Sequence, residues 1–265
     1  WPIIGNNHVF DFLSQSLSKQ AIASSYIFLG PEGLGKTTAA KFFVKSLLCQ
    51  AGGTTPCETC SSCEQMEKTG GEDSLSSIHS DYHLIRKGLD EKNIPIEKIR
   101  DFNQILNMSS FLNSYKTGII KDAESLSLQA ANALLKTLEE PKKKVVIILI
   151  ASGLENIPAT VASRSQVLNF YPVKKDLIYD HLIEKFNTSR SKAKNIAHLS
   201  LGRGALAIKF LEDQDFLLKY QERAEIFLDF LLESDLNVRI NRLHDFLGTK
   251  DLGPREVDKA LAVLE

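Results

Sequence analysis

The sequence has no long apolar run, no surplus of either charge, and no cysteine outside one short stretch, and each absence removes a class of protein. The longest unbroken apolar stretch, residues 145–151, falls far short of the roughly 20 residues that cross a bilayer as a helix. No charged segment followed by an apolar one opens the chain. The expectation is therefore no membrane and, by default, a cytoplasmic protein. Lys and Arg total 32 against 33 Asp and Glu. A protein that grips DNA by its own surface carries a basic excess or stripe, so contact with nucleic acid is expected to be weak or shared with partners. What remains is an ordinary globular composition, and 265 residues suffice for two or three domains. The chain opens at Trp1 and ends inside a run that reads as a helix, residues 256–264, so both ends are expected to be cut ends.

All four cysteines fall together, as Cys49, Cys57, Cys60 and Cys63. In a reducing compartment such clustering reads as metal binding before it reads as disulfide. Four thiolates complete a tetrahedral shell around Zn²⁺ and leave no open position for chemistry, so the expected role is structural zinc, pinning a polar insert over residues 49–63. A redox or disulfide role and plain free thiols are the other readings of the same residues.

Along the chain, apolar residues at helical spacing (Val9, Phe10, Leu13, Leu17) predict a first helix. A short apolar strand at 26–29 runs into glycines and then into a helical pattern over 36–48. Residues 50–81 are rich in Gly, Ser, Thr and acids without periodicity and read as an insertion or loop. Further strands are predicted at 83–85, 117–120, 145–150 and 167–170. Helices are predicted after Pro95 and over 128–140, the latter ended by Pro141. The run at 145–150 is β-branched and leucine throughout, as expected of a strand buried on both faces. Strands alternating with helices imply an α/β fold, a parallel sheet covered on both sides. After Pro172 only helices are predicted: 175–186, 190–199, 203–218, 220–233 and 236–247.

Gly30-Pro-Glu-Gly33-Leu-Gly35-Lys36-Thr37 matches the full phosphate-binding-loop pattern between a strand and a helix. The glycines let backbone N–H groups turn inward around phosphates, the helix N-terminus adds positive potential, Lys36 reaches the outer phosphates, and Thr37 and Thr38 open the helix with hydroxyls suited to Mg²⁺ and phosphate. A glycine-rich turn without a ligand is the plain alternative. Phosphoryl transfer also needs an Asp on a neighbouring strand end to hold Mg²⁺ and an adjacent Glu to place water. The candidate strand end reads Lys121-Asp122-Ala123. If Lys121 stands at the Asp position, an ammonium replaces the carboxylate; if Asp122 does, Ala123 follows it. Neither register gives the pair, so ATP or ADP binding with little hydrolysis by this chain alone is expected, and whether the chain counts as an enzyme stays open.

With these pieces placed, the chain resembles the bacterial DNA polymerase III clamp-loader subunits, a branch of the AAA+ family. The loop, the four-cysteine insert behind its helix, and Asn132-Ala-Leu-Leu-Lys-Thr-Leu-Glu-Glu-Pro141 carry the resemblance, with Ile4-Gly5-Asn6 and Ser163-Arg164-Ser165 in support. Where the family has Ser-Arg-Cys, the third residue here is Ser165. The altered strand end resembles the delta-prime type more than the ATPase gamma/tau type, whereas the intact loop is shared with the latter. The resemblance implies an AAA+ domain over 1–172, a helical lid over 173–213, and the start of a helical collar over 214–265, incomplete at its end. It implies an arginine finger at Arg164, offered in trans to a neighbour's ATP, where the alternative is a surface ion pair. Ser152 is similar to the family's phosphate sensor, or else a loop cap. Arg203, between Gly202 and Gly204, is similar to the lid arginine that contacts nucleotide, or else part of a tight helix start. The implied partners are gamma/tau and delta subunits in a hetero-oligomeric ring, and through it the sliding clamp and primed DNA. The readings in competition are thus a non-hydrolysing stator, an active gamma/tau-type ATPase, and a zinc-dependent nucleic-acid-binding module; the neutral charge weighs against the last.

Overall fold

The computed structural model of the chain describes residues 1–68, 79–88, 91–110, 115–232 and 238. It divides into two compact units, Trp1–Ala207 and Ile208–Glu265. The first holds α1 (Asn7–Ser18), β1 (Ser25–Leu29), α2 (Lys36–Leu48), α3 (Ser61–Lys68), β2 (Tyr82–Ile85), α4 (Ile96–Leu106), β3 (Lys116–Ile120), α5 (Leu128–Glu139), β4 (Val145–Ala151), α6 (Ala159–Ala162), β5 (Gln166–Asn169), α7 (Lys175–Phe186) and α8 (Arg190–Leu199). Helix α9 (Gly204–Glu212) begins in it. The five strands form one parallel sheet in the order β2-β3-β4-β1-β5.

The period of two along each strand sorts the core into two layers. Tyr26 and Phe28 of β1 and Val146, Ile148 and Ile150 of β4 face one side, against Leu13 of α1 and Phe43 and Val44 of α2. Ile27 and the alternate β4 residues Val145, Ile147 and Leu149 face the other, against Phe102 of α4 and Leu134 of α5. All seven residues of β4 are buried, which is why its sequence shows no alternation. Where β3 crosses α4 the layers approach closely. A Cβ on Gly118 would stand 2.2 Å from Cζ of the Phe102 ring, itself fully buried, so a glycine in mid-strand is required by packing.

The α/β architecture with helices on both faces is as the sequence implied, and the structure adjusts its details. The stretch read as a loop contains α3: its buried positions are Ser62, Cys63 and Met66, two of which carry no hydrophobic signal. The helix expected over 203–218 is broken. Helix α9 stops at Glu212 and α10 (Gln214–Leu232) follows, with the Asp213 carboxylate accepting a hydrogen bond from the Phe216 N–H at 2.9 Å, a side-chain cap. In the second unit Phe210 packs against Phe216 and Tyr220 at ring-centroid distances of 5.8 and 4.8 Å. The helices expected at 236–247 and 256–264 lie outside the described residues, Val238 apart.

Gly118→Ala forces a methyl into the Phe102 ring, and overpacking of this kind costs about 1–3 kcal/mol. Its urea midpoint should fall accordingly, and Phe102→Leu in the same chain should recover part of the loss; an unchanged midpoint for Gly118→Ala would show that the layers yield freely.

Candidate functional site

The loop after β1 is shaped by its neighbours. The Gly30 N–H donates to Ala151 O at 3.2 Å and the Phe170 N–H to Leu29 O at 2.7 Å, fastening the end of β1 between β4 and the segment after β5. A Cβ on Gly30, at φ +141°, would lie 2.3 Å from Phe170 O, so no other residue fits. Gly33 and Gly35 also have positive φ, and α2 starts directly after Gly35. Lys36 is buried, and its amine donates to the carbonyls of Gly30 and Pro31, the latter at 2.7 Å. Burial pulls the Lys36 ammonium from its ordinary 10.5 down to about 8, against the opposing pull of Glu124, Glu32 and Asp122. Lys36, Thr37 and Thr38 line a cavity of about 200 Å³.

The opposite wall comes from the ends of β3 and β4. Lys121, Asp122 and Glu124 line it, together with Ser152. Asp122 is left-handed, at φ +56°, and leads into a 3₁₀ turn, Ala123–Ser125, in which Ala123 is buried. The turn carries Glu124 back into the cavity. There its Oε1 accepts from the Ser152 N–H at 3.2 Å, while its buried Oε2 accepts no hydrogen bond among the described residues. Burial raises the Asp122 carboxyl above its ordinary value, with Lys121 opposing. The chain thus has an Asp and a Glu on this wall, separated by Ala123, with an ammonium at the strand end. Glu124 was not among the expected site residues. Its only sequence trace is an acid four residues beyond the strand, which becomes meaningful once the 3₁₀ turn brings that position round.

The third side is the start of α9. The N–H groups of Ala205 and Leu206 donate to Gly33 O at 2.8 and 3.1 Å. A loop carbonyl therefore satisfies donors that a helix start leaves open. Ala205 lines the cavity; Arg203 stands beside Gly33, with its Cβ 3.3 Å from where a Gly33 Cβ would be, but is not among the lining residues. The opening Ile4-Gly5-Asn6 stitches the same region. The Asn6 side chain donates to Tyr171 O at 3.1 Å and accepts from the Tyr171 N–H at 2.8 Å, and Gly5 abuts Val173.

Arg164 lies elsewhere. It follows α6, does not line the cavity, and its guanidinium donates to Thr160 O at 3.0 Å, Ser163 Oγ at 3.3 Å and Glu139 Oε1 at 2.9 Å. Ser165 turns inward, with its Oγ donating to Val161 O at 3.0 Å and lying 2.8 Å from Ser25 Oγ, so the serine in this position supports the turn that holds the arginine outward.

The four cysteines converge. Cys49 caps the end of α2, Cys63 sits in α3, and all four sulfurs lie within 4.8 Å of one another. Tetrahedral thiolates about 2.3 Å from a metal stand about 3.8 Å apart, so the arrangement suits a four-sulfur metal centre. N–H groups also point at sulfur: Cys57 N to Cys49 Sγ at 3.4 Å and Cys63 N to Cys60 Sγ at 3.5 Å. The Thr59 N–H lowers the Cys57 thiol to about 6, whereas burial pushes the Cys63 thiol up to about 12. Two ties anchor the insert to the α/β body. Lys45 of α2 pairs with Glu58 and, at 2.9 Å, with Glu67, and Ser62 Oγ lies 2.8 Å from His79 Nε2.

A family model described as DNA polymerase III, delta subunit, matches residues 5–174, which is more than half of the chain. The chain belongs to the DNA polymerase III delta-subunit family. Its similar relatives include the delta′ subunit of Bacillus subtilis, 32% identical over 209 residues that make up 78% of this chain and 60% of that protein. The delta′ subunit of Haemophilus influenzae is 27% identical over 205 residues, 77% of this chain and 60% of that protein. The tau subunit of Bacillus subtilis is 34% identical over 177 residues, 66% of this chain but 30% of that protein. These likenesses mark a protein of the DNA polymerase III delta′ type. The chain spans about 60% of the length of the delta′ proteins it matches. Among solved structures, the RuvB Holliday junction branch migration motor of Thermotoga maritima gives a TM-score of 0.52 at 14% identity, over 98% of this chain and 70% of that one; this is a likeness of fold alone, and it is an AAA+-type fold. Among the described residues no helix is long and apolar enough to cross a membrane.

Two outcomes test this geometry. Lys36 is protonated below about pH 8 when folded and below about 10.5 when unfolded. The unfolded chain therefore holds the extra proton between those values, and stability rises with pH across that window. The stability gap between Lys36→Met and wild type, measured in urea, should accordingly shift by up to roughly 3 kcal/mol between pH 7 and 10; a constant gap would place the amine in water. For the cysteines, Co²⁺ added to the reduced chain should bind one ion per chain with the intense visible absorption of tetrahedral thiolate. Cys63→Ser should weaken it at least about tenfold. Absorption typical of octahedral Co²⁺ would contradict a four-sulfur centre.

Proposed function

We propose that this chain is a delta′-like stator of a DNA polymerase III clamp loader, acting in ATP-dependent loading of a sliding clamp onto primed DNA. In this reading it hydrolyses little ATP itself and offers Arg164 in trans to the ATP of a neighbouring gamma/tau-type subunit. The observation that carries it is the separation of two features: Arg164 is exposed and does not line the cavity of the chain's own loop, and the strand end across that cavity reads Lys121-Asp122-Ala123, without an adjacent acidic pair. A guanidinium brought to a phosphoryl group stabilises charge that develops during transfer, and arginine fingers are worth about 10³–10⁵ in rate among GTPases.

The rest of the assignment follows the same reading. Residues 1–172 form the AAA+ domain, 173–213 the lid, and 214–265 the beginning of a collar that joins gamma/tau and delta subunits in a ring; cytoplasmic replication is the setting. ATP or ADP would be held by the N–H groups of the loop around Gly30, Gly33 and Gly35, by Lys36, and by the hydroxyls of Thr37 and Thr38, with Ser152 and Arg203 as sensors. Bound nucleotide would supply the negative charge that the buried Lys36 lacks a strong partner for. Zinc on Cys49, Cys57, Cys60 and Cys63 would be structural, since four sulfurs leave the ion no open position.

A second reading, an active gamma/tau-type ATPase, has one observation in its favour: Asp122 and Glu124 both reach the cavity wall. Steady-state ATPase activity separates the two. The stator should be nearly inactive alone; in the reassembled loader Arg164→Ala should cut clamp-stimulated hydrolysis at least about tenfold, with Lys36→Ala mild. Brisk hydrolysis by the isolated chain, or a loader abolished by Lys36→Ala and indifferent to Arg164→Ala, decides for the ATPase.

A further inference from the structure

We infer that Glu139 is a positioning residue for Arg164, fixing the guanidinium of the proposed finger before a neighbouring nucleotide arrives; the inference rests on the stator reading.

Glu139 is the last residue of α5 and Glu140 its C-cap. Two carboxylates at a helix C-terminus oppose the helix dipole, which favours cations there. A local rule broken without a local gain points to a role elsewhere. The Glu139 Oε1 accepts from Arg164 Nη2 at 2.9 Å, across from α5 to the segment after α6. Its side chain is 47% exposed and that of Arg164 38%. A pair this wet contributes little to folding, so stability does not account for it.

What the pair does is geometric. An arginine side chain is long and loses much rotamer freedom when fixed. Here three contacts remove that freedom in advance: Glu139 on one terminal nitrogen, and Thr160 O with Ser163 Oγ on the other. Thr160 O and Ser163 Oγ belong to the arginine's own turn and move with it. Glu139 belongs to a different element and is the contact that ties the guanidinium to the body of the domain. A guanidinium has five N–H donors, so donors remain for a phosphate oxygen while these three contacts persist. Preorganisation of this kind acts on the rate of the chemical step rather than on binding of the nucleotide.

The test uses the loader reassembled from its own full-length subunits, with ATP hydrolysis measured as kcat and KM. Glu139→Ala should lower kcat by about three- to tenfold with KM for ATP unchanged. Glu139→Gln, which keeps an acceptor oxygen, should stay within about twofold of wild type. The double variant Glu139→Ala/Arg164→Ala should be no worse than Arg164→Ala, because a residue that acts through Arg164 has nothing left to position. Assembly of each variant into the ring is checked by size-exclusion chromatography. Three results overturn the inference while leaving the stator reading intact: an unchanged or raised kcat for Glu139→Ala beside a slow Arg164→Ala, a change in KM alone, or an additive double variant. An Arg164→Ala loader that turns over normally removes the stator reading, and the role of Glu139 with it.

Discussion

The parallel pairing of β1 between β4 and β5 is the constraint on which the site depends. It buries Tyr26, Ile27 and Phe28 fully and holds the ends of β1 and β4 in register, Leu29 opposite Ala151. In open parallel sheets ligand sites gather beyond the C-terminal strand ends. Here those ends deliver the glycine loop after β1, Lys121, Asp122 and Glu124 after β3, and Ser152 after β4 to one cavity. The close approach of Gly30 to Phe170 O then makes the loop an extension of the sheet.

Burial leaves the charges in that cavity poorly solvated. Lys36 is desolvated and turned onto loop carbonyls, and Glu124 keeps a buried oxygen without a hydrogen bond among the described residues. Buried polar groups in this condition are costly, and such cost concentrates where function selects against stability. The helix start at Ala205 and Leu206 uses the carbonyl of Gly33 as its cap, so the loop and the start of α9 are joined through a single peptide group.

The two features outside the cavity obey different physics. The cysteine insert has few apolar residues of its own, and its four sulfurs converge within 4.8 Å of one another. Arg164 is exposed; its placement depends on a short helix too small to fold alone and on a carboxylate from α5. The family decapeptide ending at Pro141 therefore has a physical counterpart in Glu139, which meets the arginine of the second motif across the fold.

The sequence by itself determined the elements whose signal is local. Strand β4 is legible as an unbroken apolar run, α2 as a stripe behind a glycine loop, and the metal-type site as four closely spaced thiols, because periodicity, backbone freedom and ligand spacing are properties of neighbours in the chain. Helix α3 was not legible, since its inward residues include a serine and a cysteine, and the break at Asp213 was not, since a single capping oxygen decides it. Only the tertiary structure decided that Glu124 joins Asp122 at the cavity, that Gly33 caps α9, that Gly118 makes room for Phe102, and that Glu139 meets Arg164. Each of these pairs residues set apart by a turn or by different elements, and their contact is fixed by how the layers pack rather than by any pattern along the chain.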